Sequence, residues 1–535
     1  MRMKRIAAIG IMSALAIIGV TERTTARQAD RNAKPEAGRE IDPEHVDVAD
    51  GYRIEAVVAN LSVPNTAIFD GDDLLIAESG FNNIGKPRIV RVRRDGTVQV
   101  VVSEGLQAPV NGLAMHNGTL YVSHLGRVSV VQGSALRDIV TDLPHGDHHN
   151  NKIVFGPDGK IYMGQGTSTN TAVVGVDNYL FGWLKERPQN HEIPCRDITL
   201  AGQNFESENP LTDGDDRATT GAYKPFGVAS KAGEVIRGNV KCGGSIVRFN
   251  PDGSGFELVA WGLRNPFGVQ FDRNGQLWTT NHGADVRGSR NVFNDPDYLI
   301  RVEQDAWYGF PDFFDGRPVT DARFNAPEKP KPTFVLQKHP PLARAFVTFP
   351  SHAAANGLAF SPGGAFGFEG DAFVTLFGTF APVTTGVNIK PVGFGVARVD
   401  LKSKEVHDFL DNDLPGPSYL NQQNGLNRPT DVVFGPDASL YVLDWGAATL
   451  DTDGLKIKPN TGVVWRVYRD TQSPLRPSGP VMVPAAGLDV DQQTPMVPNV
   501  PETYRMAGNT LALLIGGLVL AIVLVVWVWR RMRRA

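Results

Sequence analysis

One pattern recurs six times along the 535 residues: a short apolar strand, a tight turn, a second apolar strand and a glycine. The copies are 65–69 with 74–80, 111–115 with 120–126, 151–155 with 161–166, 267–271 with 277–283, 356–360 with 372–378, and 430–434 with 440–446. The aromatic or Met that ends the first strand stands 11 or 12 residues before the glycine in five copies and 18 before it in the fifth. A third strand follows each copy, and a fourth follows most. The turns carry Pro-Asp-Gly or Asn-Gly, which reach φ > 0 at little cost. One such unit cannot bury both of its faces, so repeated units stack radially around a shared core. The pattern predicts an all-β, six-bladed β-propeller over 50–470. A strand at 52–60 precedes the first copy, and the sixth copy lacks a fourth strand. The front strand is therefore expected to complete the last blade and close the ring. Gly 57 and Pro 37 suit so turn-rich an architecture.

The two ends carry export signals. Met1-Arg2-Met3-Lys4-Arg5 precedes an uncharged run over 6–20, the shape of a secretory signal, expected over 1–26. Thr24-Thr25-Ala26 only approaches a small-x-small cleavage site, so removal and retention both stay open. Residues 511–529 hold no charge, enough to cross ~30 Å of hydrocarbon at about 1.5 Å per residue, and a transmembrane helix is expected over 510–529. Arg530, Arg531, Arg533 and Arg534 follow it. A basic cytoplasmic tail at 530–535 and a propeller on the extracytoplasmic (periplasmic or cell-surface) side of a single-pass membrane protein are the consequence. The Pro-, Gln- and Asp-containing stretch 471–506 reads as a spacer. Cys195 and Cys242 are the two cysteines, and in an oxidising compartment they are expected to pair. A net charge of -4 offers no basic field for nucleic acid.

In a propeller, residues just before each first strand and just after each second strand reach one face. Those slots hold Asp147, His148, His149, Arg264, Asn265, His352 and Arg428 before first strands, and Glu78, His124, Gln165, His282 and Trp445 after second strands. Four of the 11 histidines, His124, His148, His282 and His352, are thus expected around one mouth, where convergent polar groups favour a binding or catalytic pocket. Asn65, Asn111, Asn151 and Asn356 share one slot and read as turn caps.

Asp147-His-His-Asn-Asn-Lys-Ile-Val-Phe-Gly-Pro-Asp-Gly-Lys-Ile-Tyr162 resembles the pyrroloquinoline-quinone (PQQ)-dependent glucose/sorbosone dehydrogenases. Trp261-Gly-Leu-Arg-Asn-Pro-Phe-Gly-Val-Gln-Phe271 is similar to their Gly-x-Arg-Asn-Pro block, and 352–360 to their sorbosone-type segment. The resemblance covers about 50–470 and implies six blades. It implies His148 as general base, with Asp147 orienting or tuning it, while hydride passes from a carbinol carbon to the quinone. It implies Arg264, Asn265 and Arg428 as contacts of the cofactor PQQ, and His352 and His282, the latter where the family often has Gln or an acid, are expected beside them. It implies the backbone of Gly283 and Ala284 as a Ca²⁺ site. The partners implied are a small sugar or carbinol substrate, the membrane and an external electron acceptor, since no Cys-x-x-Cys-His haem motif is present.

The chain departs from the family where Phe377-Gly-Thr-Phe-Ala-Pro382 replaces a segment that often carries a cation, and where Thr430 takes the place of a second arginine. Insertions at about 167–240 and 312–345 are expected to reshape or cover the pocket. Weaker cation provision favours a second reading, a non-catalytic propeller that binds a carbohydrate or protein at the same mouth. Metal-dependent hydrolysis by the histidine cluster is a third. The fold alone decides between none of them.

Overall fold

The computed structural model describes residues 38–81, 84–451 and 454–485. The signal segment at 1–26, the transmembrane helix at 510–529, the tail at 530–535 and residues 486–506 of the spacer lie outside the described residues. Among those described, no helix is long and apolar enough to cross a membrane.

Six antiparallel sheets follow one another in chain order. Blade 1 starts with Pro64–Asp70, blade 2 with Val110–His116, blade 3 with Asn150–Phe155, blade 4 with Asn265–Phe271, blade 5 with Ala355–Phe360 and blade 6 with Pro429–Phe434. Each blade is buried on both faces, so alternate side chains of one strand enter two different cores. Leu75 and Ala77 pack with Leu113 and Val122 of blade 2, while Leu74 and Ile76 pack with Leu443 and Val464 of blade 6. Four further clusters fill the remaining junctions around the ring.

The ring closes as expected. Tyr52–Leu61 pairs antiparallel with Gly462–Arg469 and becomes the fourth strand of blade 6. The edges then gain strands that the sequence pattern did not suggest. Val46–Val48 adds to blade 5, and Val481–Met482 pairs in parallel with Tyr52–Leu61. Residues 473–485, expected as spacer, therefore belong to the propeller. Glu55 accepts hydrogen bonds from the N–H groups of Leu475 (2.7 Å) and Arg476 (2.9 Å), Asn60 donates to Val483 O (2.7 Å), and Val483 is fully buried.

Two features fill the centre. The first is a hydrogen-bonded belt, in which the asparagines read as turn caps instead reach sideways to the next blade. Asn65 donates to Asn111 (2.7 Å), Asn111 to Asn150 O (3.0 Å), Asn151 to Asn265 (2.8 Å), and Asn356 to Thr430 (3.3 Å). In blade 4 Phe267 holds the asparagine slot, and Asn265 and His282 carry the belt on to Asn356. Thr430 closes it on Asn65 (3.0 Å). Every donor points in the same rotational sense.

The second feature lies one residue further along each first strand, at Thr66, Gly112, Lys152, Gly268, Gly357 and Asp431. Lys152 of blade 3 reaches Asp431 of the opposite blade 6 across the axis, Nζ to Oδ1 2.5 Å. The glycines make that span possible, since a Cβ at Gly357 would press on the Asp431 carboxylate. The two charged side chains are 11% and 0% exposed, so the pair is largely buried on the axis.

Both insertions are ordered excursions. Residues 166–244 leave blade 3 and carry the expected Cys195–Cys242 disulfide, and residues 302–346 leave blade 4. They share a satellite core that joins Ile198, Leu200 and Tyr223 to Phe310, Phe324 and Leu336.

Candidate functional site

Above the belt the blade ends and the first insertion enclose a cavity of about 870 Å³. His148 lines it. Its N–H donates to Thr167 O (3.1 Å), and the same carbonyl lies 3.0 Å from its Nδ1. A carbonyl oxygen only accepts, so Nδ1 carries the proton and Nε2 is the basic nitrogen. Gly166 permits this approach, because a Cβ there would overlap His148 Cβ. Burial, then the positive charges of Arg264 and Arg287 and the neighbouring His282, hold the His148 pKa well below the ordinary histidine value, with Asp285 opposing. The ring is neutral at pH 7.

Asp147 does not orient His148, which corrects the expectation. Adjacent residues of an extended chain point to opposite sides. The Asp147 carboxylate accepts from Asn178 (2.9 Å) and Trp183 (2.8 Å) and pairs with Arg287 (2.6 Å). It anchors the first insertion; the Thr167 carbonyl orients the imidazole.

Arg264 lines the cavity, 4% exposed, with Nη2 3.0 Å from Asp285 and 2.8 Å from Asn170 Oδ1. Arg287 is the centre of the charged wall, bonded to Asp147 and Asp177 at 2.6 Å each and to Asp285 at 3.2 Å. Burial disfavours the Asp285 anion, yet Arg264, His352 and Arg287 together hold its carboxyl well below the usual carboxylate range. His352 lies 3.5 Å from Asp285; burial pulls its pKa down, but the carboxylate outweighs that and raises it overall. Its backbone is left-handed at φ 65°, a conformation held by the surrounding contacts.

Asn265 and His282 both face the cavity as members of the belt. Asn265 Nδ2 donates to His282 Nδ1 (3.0 Å), so His282 Nε2 carries the proton and donates to Asn356 (2.6 Å). Burial and Arg264 bring the His282 pKa down to about 4. The Gly283 and Ala284 N–H groups donate to Asp297 (2.7 Å) and Asp295 (2.6 Å). Across the trans peptide the Gly283 carbonyl points away from Asp295. Among the described residues no three His, Cys, Asp or Glu side chains group as a metal site, so a Ca²⁺ here would rely on main-chain oxygens.

Two other expected members are elsewhere. Arg428 does not line the cavity. Its guanidinium donates to the carbonyls of Gly378 (3.0 Å) and Ala448 (3.2 Å) and lies 3.6 Å over Phe380, which stands between it and the open space. Burial lowers its pKa to about 9. His124 is fully buried inside blade 2, accepting from Gln107 N–H (3.0 Å) and donating to Ser129 (2.7 Å).

The wall opposite the charges is aromatic: Phe81, Phe377, Phe380 and Trp445 line it, with Trp445 5.3 Å from Phe377 and 5.8 Å from Phe81. Asp285 and Arg287 lie outside the slots that the repeats mark. Their Asp-x-Arg spacing after a second strand puts both on one side of the chain, which is the one trace they leave.

A family model described as Glucose / Sorbosone dehydrogenase matches residues 211–381. The resemblance to the glucose/sorbosone dehydrogenases holds. The matched segment includes Arg264, Asn265, His282 and His352, all at the cavity. No curated protein matches the chain. Among solved structures, the holo form of the pyranose dehydrogenase PQQ domain from Coprinopsis cinerea is 16% identical, with 79% of this chain and 97% of that one covered and a TM-score of 0.50. A calcium structure of a Trichoderma reesei member of carbohydrate-active enzyme family AA12 is 15% identical, with 81% and 99% covered and a TM-score of 0.51. At these identities the likeness establishes the shared propeller fold.

Proposed function

We propose that the chain is a quinoprotein dehydrogenase that oxidises a sugar or related small carbinol at this cavity. The observation that carries the reading is His148, a neutral imidazole with Nδ1 tied to Thr167 and Nε2 left basic at the cavity wall. The match to the glucose/sorbosone dehydrogenase model and a structural neighbour described as a pyranose dehydrogenase PQQ domain support the same chemistry.

The cavity suits PQQ in size, and Arg264 and Arg287 would meet its carboxylates while shared with Asp147, Asp177 and Asp285. A flat tricyclic acid suits a space with an aromatic wall on one side and Arg264, Asn265 and Arg287 on the other. When bound, PQQ would supply the two-electron acceptor for a substrate hydride. The chain's own residues do the rest. His148 Nε2 takes the hydroxyl proton of the substrate, and Thr167 keeps that nitrogen unprotonated beforehand. The belt amides and His282 present hydrogen-bonding groups at the floor, and the aromatic wall excludes water. Gly283 and Ala284 would hold Ca²⁺ through hard oxygen ligands.

A second reading, a non-catalytic carbohydrate or protein binder, draws on one observation. Arg264 and Arg287 are already matched by Asp147, Asp177 and Asp285, and Arg428 is withdrawn behind Phe380. Titration of the purified full-length protein with PQQ and Ca²⁺, followed by a sugar panel and an artificial electron acceptor, separates the two. Saturable binding with sugar-dependent reduction that His148→Ala reduces by about 10²–10⁴-fold establishes the dehydrogenase. A folded protein that binds sugar but no PQQ establishes the binder.

A further inference from the structure

Glu192 is 1% exposed and lies behind the cavity wall, in a position the proton transfer itself does not use. Its Oε2 accepts from the N–H (3.1 Å) and the hydroxyl (3.0 Å) of Thr169. The Thr169 carbonyl accepts from the Thr167 hydroxyl at 2.7 Å. The Thr167 carbonyl and hydroxyl stand 3.0 and 3.2 Å from His148 Nδ1. These bonds form one chain from the acid to the imidazole. Because the Thr167 hydroxyl gives its proton to Thr169, it turns a lone pair toward His148, and both groups at Nδ1 are acceptors.

The disulfide seats the acid. Cys195 follows Glu192 by three residues, and Gly243 follows Cys242 directly. Gly243 N–H donates to Ile193 O (3.1 Å), and Asn239 N–H to Pro194 O (2.8 Å). A Cβ at Gly243 would overlap Glu192 Oε1 and lie 3.2 Å from Thr167 Cα, so the bridged segments press together on both members of the chain. Burial pushes the Glu192 carboxyl up to about 8 against its bonds from Thr169, so it holds the threonine without placing a full charge behind the base.

We propose that Glu192, clamped by the Cys195–Cys242 disulfide, is a positioning residue that aims His148 through Thr169 and Thr167. The inference rests on the reading of His148 as the base. Two variants of the full-length protein test it: Glu192→Leu, which fills the space without an acceptor, and Glu192→Gln, which keeps one. Leu is expected to lower kcat by about 10- to 100-fold while the sugar KM and PQQ titration change by less than about twofold, and Gln to recover most of the loss. Unchanged turnover in Leu, a Gln variant no better than Leu, or a loss of PQQ affinity parallel to kcat would overturn it. An independent readout uses ¹⁵N-histidine spectra without PQQ. His148 should show the Nδ1–H form in the wild type and a mixture in Glu192→Leu; the same spectrum in both rejects the positioning role. If the wild type neither binds PQQ nor oxidises any sugar, the proposed function falls, and the nitrogen spectra still decide the role of Glu192.

Discussion

At the scale of single residues the site is a set of charges whose values depend on one another. In the proposed reaction His148 works as a base only when unprotonated, and its pKa lies below the ordinary 6.5 because burial and the facing Arg264, Arg287 and His282 outweigh Asp285. A depressed base pKa keeps the working form populated to lower pH, so the acid limb of kcat/KM is expected well below 6.5. A limb at or above 6.5 in a pH series would show that another group controls the step. The two arginines carried over from the family should also part company. Arg264 faces the cavity and Arg428 does not, so Arg264→Gln should weaken PQQ binding at least about tenfold, by ~1.5 kcal/mol or more, while Arg428→Gln should change it much less. Fluorescence titration of both variants reads the difference. His148, Arg264 and Asn265 were legible because each occupies a fixed slot in a repeat. Thr167, Arg287 and Phe380 were not, because they come from segments outside the repeats and meet the site only through the fold.

At the scale of elements the strands and their order were readable from the two-residue alternation and the turn residues. Ring closure by 52–60 followed from counting strands, and Tyr52–Leu61 takes that place. The belt was not readable, since an asparagine that bonds to the next blade has the same local sequence as one that caps a turn. The axial bridge was equally hidden. Lys152 and Asp431 are 279 residues apart and meet only once six blades have closed. Removing one partner leaves a buried charge, so Lys152→Met should destabilise by about 3–5 kcal/mol, whereas Lys152→Met with Asp431→Asn should cost less than Lys152→Met alone. Denaturant unfolding of the two variants and the wild type gives the comparison.

At the scale of the whole molecule, residues 473–485 cover the outer edge of blade 6, which the closing strand would otherwise leave open. A chain ending at residue 472 should melt earlier and associate in a concentration-dependent way, because Asn60, Glu55 and an unpaired strand edge are exposed together. Thermal melts and light scattering of the shortened chain test this, and an unshifted melt with a monomeric profile would refute it. The Lys152–Asp431 bridge has a consequence of another kind. A propeller with an open axis is a tube, and traffic can enter at one end and leave at the other. This one is a cup. Whatever lies deepest must then arrive first and depart last, and in the proposed reaction an oxidised product would leave through the mouth by which the next sugar comes in. Product should therefore inhibit competitively against sugar, with loading strictly ordered.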